Sequence, residues 1–479
     1  MQTDTLNVEA LHRRLAADHS IAGYIQLLLH YLQYSEYELI LYMQREGQWT
    51  IQKPAPVAPP GYQKGEGSVD AGLFLFWINH ASSYIKDKDI MHGLWILKIA
   101  LVYYGLPMPT SQLKESNYKR LDENNLVYDD GSILGTNLYE TYDQGWFVAF
   151  FNLVVTIIYY DNGVLPAPPP VITLNKATDV EVKIGMLGDW GSGTEVAQTV
   201  MNQLVGLQPD YLVHLGDVYY SGTPGDDYTH YYATGEEQDH LLSIWPDAYA
   251  GASFTLNSNH EMYCGAHGLL DVALASRVFA KQGGATYYAL QCGDWTLLCL
   301  DSAFYADVTH AYMYGNIGNE QASWIKSLQL QPAKVIVLTH HNGFEYNCSN
   351  DTQAYYTPFW NQVSNALGGD PYAWYWGHIH NGIVYNSPVT IGDFATNTYC
   401  RCLGHGAIPF GNASSLQNLA GVEWYANNPP VDAAGKEVSN GSVLLSFALQ
   451  DNQVTAITEN FYDVSGLPQP VWSKIIFQL

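Results

Sequence analysis

An α/β domain preceded by a mainly helical region is the fold class this sequence predicts, and three observations predict it. From about residue 178 onward, short apolar runs alternate with amphipathic stretches, as strands and helices do when they follow one another along a chain. Before residue 163, apolar residues recur instead at helical spacing, as in Leu11, Leu15, Ile21, Tyr24, Ile25 and Leu28, and again in Leu94, Leu97, Leu101 and Tyr104. Between the two lie Pro166, Pro168, Pro169 and Pro170, a stiff extended stretch. The expected organisation is therefore a helical region of unassigned role over 1–163, a linker over 164–177 and an α/β domain over 178–479.

Taken in order, the helical region is interrupted by a second proline-rich stretch, Pro54 to Pro60, which joins two helical groups. Its longest apolar run, Trp146 to Tyr160, falls short of the ~18–20 residues of a membrane span and carries Asn152, so it reads as a buried helix. In the α/β part the expected strands are Lys183–Leu187, Tyr211–Leu215, Ser253–Leu256, Trp295–Leu300, Lys334–Leu338 and Tyr372–Trp376. Helices are expected over Thr194–Leu204 and Asn319–Leu330, each opening on a capping-type residue. Ser442–Leu449 and Val454–Asn460, around Asp451–Asn452, read as a hairpin.

Composition removes several function classes. With 20 basic against 46 acidic residues, a net charge of −26, the chain is a poor partner for nucleic acid or an anionic membrane. Hydrophobic content of 47% supplies enough apolar surface to offset chain entropy, which excludes a disordered protein. Six cysteines without a C-x-x-C pair argue against a disulfide scaffold and a structural zinc site. The start, Met1 to Asp4, has no basic segment leading into an apolar one, so the expected compartment is the cytoplasm, with export lacking an ordinary signal as the alternative. Oligomeric state is left open.

The informative feature is where the expected strands stop. Asp189, Asp217, Asn259, His340 and His378 each follow a strand end, with His380 close behind. In open α/β sheets ligands bind beyond the carboxyl ends of the strands, so these residues should converge in space. Two Asp, one Asn and three His make a mixed oxygen and nitrogen donor set, which suits iron, zinc or manganese rather than calcium.

The segments Gly188-Asp189-Trp190-Gly191, Gly216-Asp217-Val218-Tyr219-Tyr220, Asn259-His260-Glu261, Leu338-Thr339-His340-His341 and Gly377-His378-Ile379-His380 occur in this order. Together they resemble the calcineurin-like metallophosphoesterases, most closely the purple acid phosphatase branch, over about residues 181 to 410. The resemblance implies a sandwich of mixed β-sheets flanked by helices. It also implies two metal ions, with Asp189, Tyr220 and His380 on the first, Asn259, His340 and His378 on the second, and Asp217 bridging. Most of the superfamily begins Asp-x-His; here Gly191 stands at the His position, and the purple acid branch places a tyrosine three residues after the second Asp, the position of Tyr220. A phenolate favours ferric iron, so the implied pair is Fe(III) at the Tyr220 site and a divalent Fe, Zn or Mn ion at the other.

The implied activity is hydrolysis of small-molecule phosphate esters, monoesters first. Two ions ~3.5–4 Å apart generate a hydroxide near neutral pH and clamp the phosphoryl group for in-line attack. His260 would protonate the leaving oxygen, with Glu261 behind it. His341 is expected behind the ligands or facing substrate, Arg401 as a bidentate phosphate binder or equally as the partner of a surface carboxylate, Asp301 as a turn cap and His405 in the core or a turn. Ser258 departs from the family's glycine before Asn-His, and Asn342–Gly343–Phe344 departs from its common proline segment, which leaves substrate preference open. The alternatives are a phosphodiesterase acting on nucleotides or lipid headgroups with the same metal core, and a non-catalytic scaffold of the same fold.

Overall fold

The computed structural model describes residues 169–479 apart from 226–234, 308–310, 347–353, 356–357, 392–393, 409–415, 417, 428–438 and 465–467. Before residue 169 it describes only 118–120, 126–128, 149, 152–153, 156 and 163. The helical expectation for 1–163 thus falls almost entirely outside the described residues. Within it, Ala149, Asn152, Leu153 and Thr156 are helical and buried, while Tyr118–Arg120 pairs antiparallel with Leu126–Tyr128.

In chain order the strands that build the domain are β1 (Val171–Thr173), β2 (Glu181–Leu187), β3 (Tyr211–His214), β4 (Ser253–Thr255), β5 (Tyr288–Cys292), β6 (Trp295–Cys299) and β7 (Val335–Thr339). They continue with β8 (Ala373–Trp376), β9 (Gly382–Tyr385), β10 (Tyr399–Leu403), β11 (Val422–Tyr425), β12 (Gly441–Gln450), β13 (Gln453–Asp463) and β14 (Trp472–Gln478). The α-helices are α1 (Glu195–Gly206), α2 (Asn259–Met262), α3 (Gly318–Ser327) and α4 (Pro358–Leu367). Each strand and helix expected in the α/β part is present to within a few residues. β1 lies inside the segment expected as linker, where it pairs in parallel with β5.

Among the described residues two mixed sheets dominate. A six-stranded sheet has the order β14-β13-β12-β2-β3-β4, and an eight-stranded one the order β11-β9-β10-β8-β7-β6-β5-β1. They share one core: Val182, Ile184 and Met186 of β2, Leu297 of β6, Ile336 and Leu338 of β7, and Val443, Leu445 and Phe447 of β12 all belong to it. The alternate residues of the eight-stranded sheet face a second cluster, where Val335, Val337, Trp374 and Trp376 pack on Ile325 of α3 and on Phe359, Trp360 and Val363 of α4. β7 is buried along its whole length, as a central parallel strand covered on both faces must be. α1 begins at Thr194, whose side chain accepts the Ala197 N–H, and it buries Ala197, Val200, Met201 and Leu204, one stripe at helical spacing.

The directions of these strands position the site. β2, β3 and β4 are mutually parallel in one sheet, and β6, β7, β8 and β10 in the other. Residues just past their carboxyl ends meet along one edge where the sheets face each other.

Candidate metal centre

Three of the expected ligands sit in strained backbone. Asp189, Asp217 and His378 have φ of 54°, 77° and 66°, a left-handed conformation that costs a non-glycine residue energy. Each follows a strand end by two or three residues. A glycine makes one of these turns possible: a Cβ on Gly377 would fall 2.5 Å from Asp189 Oδ2. Without it, the His378 N–H donates to that same oxygen at 2.8 Å.

The side chains form two groups joined by Asp217. On one side Asp217 Oδ1 lies 3.2 Å from His340 Nε2. That nitrogen is 2.8 Å from Asn259 Oδ1 and 3.2 Å from His378 Nδ1, and His378 Nδ1 is 3.1 Å from the same Asn259 oxygen. Asn259 is held by donating its Nδ2–H to the Tyr263 hydroxyl at 2.8 Å, which turns its oxygen to the histidines. On the other side the Tyr219 hydroxyl donates to Asp217 Oδ2 at 2.7 Å and lies 3.0 Å from His380 Nε2 and 3.4 Å from Asp189 Oδ1. His380 Nε2 is 3.4 Å from Asp189 Oδ1. Asp189, Asp217 and His340 each place a ligating atom within 4.8 Å of the others.

The electrostatics of the cluster are set by burial. Asp189, Asp217, Asn259 and His340 are all essentially inaccessible to solvent. Burial, then the neighbouring Asp217 charge, pushes the Asp189 carboxyl well above the usual range. His340 donates its Nδ1–H to the Leu215 carbonyl at 3.0 Å, and burial drives its pKa down to about 3, so Nε2 presents a lone pair. That lone pair faces the oxygens of Asp217 and Asn259. Acceptors brought this close in a low-dielectric site are stable around a positive charge. The donor set fits transition-metal ions: imidazole nitrogens and carboxylate or amide oxygens, two groups sharing one carboxylate.

The other expected site residues fall as follows. His260, buried on α2, donates Nδ1–H to the Tyr220 carbonyl at 2.7 Å, which directs Nε2 toward Asp217 Oδ2, 3.9 Å away. Its ring packs against Tyr219 and Tyr263, with centroids 4.5 and 4.9 Å apart. His341 is enclosed behind His378: Nε2–H donates to the Tyr312 carbonyl at 2.7 Å, and Nδ1 is 2.8 Å from the Ser302 hydroxyl. Asp301 caps its turn, accepting the N–H groups of Ala303 and Phe304.

The structure sets the Tyr219 hydroxyl against the carboxylates beside the expected ligand Tyr220, whose carbonyl accepts from His260. Arg401 faces a carboxylate of the core rather than a site for phosphate. It lies in β10 between Cys400 and Cys402, which face the α3–α4 side, so the period of the strand turns Arg401 into the space between the sheets. There it is fully buried, its Nε 2.9 Å from both Glu459 carboxylate oxygens and its Nη2 2.5 Å from one of them. Sequence reasoning also passed over Ser258, whose hydroxyl lies 2.5 Å from Asp217 Oδ1; its one signal was its departure from glycine.

No family model matches this chain, and no curated protein does. A solved structure described as GAP50, the anchor in the inner membrane complex of Plasmodium, is similar at a TM-score of 0.38 and 12% identity, over 62% of this chain and 89% of that one. A likeness that distant carries no argument about fold or activity. Among the described residues no helix is long and apolar enough to cross a membrane.

Proposed function

We propose that this chain is a binuclear metal-dependent hydrolase of phosphate esters, built on the calcineurin-like fold and nearest in chemistry to the purple acid phosphatases. The observation that carries the reading is Asp217: one carboxylate oxygen lies 3.2 Å from His340, whose Nε2 meets Asn259 and His378, and the other accepts the Tyr219 hydroxyl, which in turn lies beside His380 and Asp189. Asp189, Tyr219 and His380 would hold one ion, Asn259, His340 and His378 the other, with Asp217 between them. Bound there, the ions would supply Lewis-acid charge to a phosphoryl group and its attacking oxygen.

The protein's own residues do the rest. Strained turns hold Asp189, Asp217 and His378 in place before any ligand arrives, so little reorganisation is left for the reaction. Because Nδ1 of His260 is committed to the Tyr220 carbonyl, Nε2 is the atom available to pass a proton to a leaving alkoxide. Tyr219 and Tyr263 flank that ring and keep its plane fixed. In a chain of net charge −26, with Arg401 occupied by Glu459, the positive charge a phosphate needs would have to come from what these residues hold.

The test is metal content of the purified chain together with hydrolysis of p-nitrophenyl phosphate and bis(p-nitrophenyl) phosphate. Two ions per chain and turnover of the monoester are expected, both lost in Asp217→Asn. Turnover of the diester alone moves the activity to the phosphodiesterase alternative. No bound metal after reconstitution overturns the proposal in favour of the scaffold.

A further inference from the structure

Part of the region before the proline stretch reaches the site. Ala149, Asn152, Leu153 and Thr156 are helical, and each is at most 4% exposed. Their spacing is that of one helical stripe, so a single face turns into the protein. Two of these four residues are polar, and burying a polar group costs energy unless it is hydrogen-bonded. Both are bonded, and to residues that surround the site. The Asn152 Nδ2–H donates to the Ser221 hydroxyl at 3.1 Å, and the Thr156 hydroxyl donates to the Tyr263 carbonyl at 2.8 Å. Farther on, the Gly163 N–H donates to the Gly265 carbonyl at 2.7 Å. A Cβ on Gly163 would fall 2.2 Å from Leu270 Cδ1, so glycine permits this close approach.

The two acceptors lie beside the groups that face Asp217. Ser221 directly follows Tyr219 and Tyr220, and its own peptide unit includes the Tyr220 carbonyl that accepts from His260. Tyr263 closes α2: its hydroxyl takes the Asn259 Nδ2–H at 2.8 Å, and its ring lies 4.9 Å from that of His260. A helix of four residues draws its geometry from packing rather than from its own turn. If the Tyr263 backbone shifted, its hydroxyl would follow. Asn259 Oδ1 would then turn away from His340 Nε2 and His378 Nδ1, which lie 2.8 and 3.1 Å from it.

Resting on the binuclear reading above, we infer that this helical face is a wall of the metal centre and that Thr156 and Asn152 are positioning residues for it. Thr156 sets the end of α2, and through Tyr263 the direction of the Asn259 oxygen. Asn152 sets the turn that follows Tyr219.

The experiment measures zinc affinity of the full chain by calorimetry and amide hydrogen exchange by mass spectrometry, with a melting temperature for each variant. Thr156→Val keeps the shape of the side chain and removes its donor. It is expected to weaken one of the two zinc ions by about tenfold, the lower end of what losing a hydrogen bond behind a metal ligand costs. Exchange across α2 should quicken, and Thr156→Ser should restore both properties. Asn152→Ala is expected to weaken the other ion, on the Tyr219 side. Wild-type zinc affinity in Thr156→Val, even with a lower melting temperature, reduces the contact to packing and overturns the inference. A loss of affinity that Thr156→Ser does not restore overturns it too, because the hydroxyl is then not the cause. A wild type that binds no zinc removes the binuclear reading instead. Quicker exchange across α2 in Thr156→Val would then still support the hold of Thr156 on that helix, and unchanged exchange would refute it.

Discussion

Replacing Arg401 with Met should unfold the protein far more readily and leave the metal site intact. Arg401 and Glu459 are both fully buried between the sheets. Besides its contacts to Glu459, the guanidinium donates Nη1–H to the carbonyls of Tyr385 and Cys400 at 3.0 and 2.8 Å and lies over the rings of Tyr399 and Trp472. Removing it leaves the Glu459 carboxylate with the Tyr375 hydroxyl, 2.7 Å away, as the donor still facing it. Breaking one side of a buried ion pair costs about 3–5 kcal/mol, a large share of the roughly 5–15 kcal/mol that holds a domain together. At roughly 2–4 °C per kcal/mol, the melting temperature should fall by about 6–20 °C. Removing both charges, in Arg401→Met with Glu459→Leu, should recover most of that loss, since the cost lies in the unpaired charge rather than in the absence of the pair. Urea denaturation followed by tryptophan fluorescence reads the midpoint, and inhibition by inorganic phosphate reads the site. A midpoint unchanged in Arg401→Met, with phosphate inhibition weakened, would refute the core assignment and return Arg401 to the substrate.

Four further outcomes follow from the geometry. If ferric iron binds, Tyr219→Phe should abolish its tyrosinate absorption band and Tyr220→Phe should keep it, as a visible spectrum of each variant will show. Gly377→Ala pushes a methyl to 2.5 Å from Asp189 Oδ2 and should cost about 1–3 kcal/mol of stability along with metal at the Asp189 position, read by melting and metal content. Chelation should lower the melting temperature of a metal-loaded chain, because an ion that binds only the folded state stabilises it by mass action. Finally, burial holds His405 down to about 4 against an unfolded value near 6.5, so the unfolded chain binds the extra proton between those limits. Stability therefore falls as pH drops from about 6.5 to 4, by about 3 kcal/mol from this residue at 1.36 kcal/mol per pH unit, and denaturation midpoints of His405→Asn should show a flatter acid limb.

Much of this protein was legible in its residues alone. Period and strand-end chemistry are local properties: Lys334–Leu338 reads as a buried strand because every residue but the first is apolar, and His340 follows it because the turn comes next. The α/β class and the positions of Asp189, Asp217, Asn259, His340 and His378 rest on such local patterns. Whether neighbouring side chains turn toward one point is decided by contacts distant in sequence. Tyr219 and Tyr220 are chemically alike, and Asp217, Asp189 and His380, up to 161 residues away, mark which phenol faces the carboxylates. Arg401 read as a phosphate binder because its partner, Glu459, is 58 residues further on, in a strand of the opposite sheet. Ser258 looked like a mere departure from a pattern until Asp217 and Glu261 closed around its hydroxyl. Local sequence determined which groups stand at the strand ends; the packing of two sheets decided which of them meet, because burial leaves each charge only the partners that the fold brings to it.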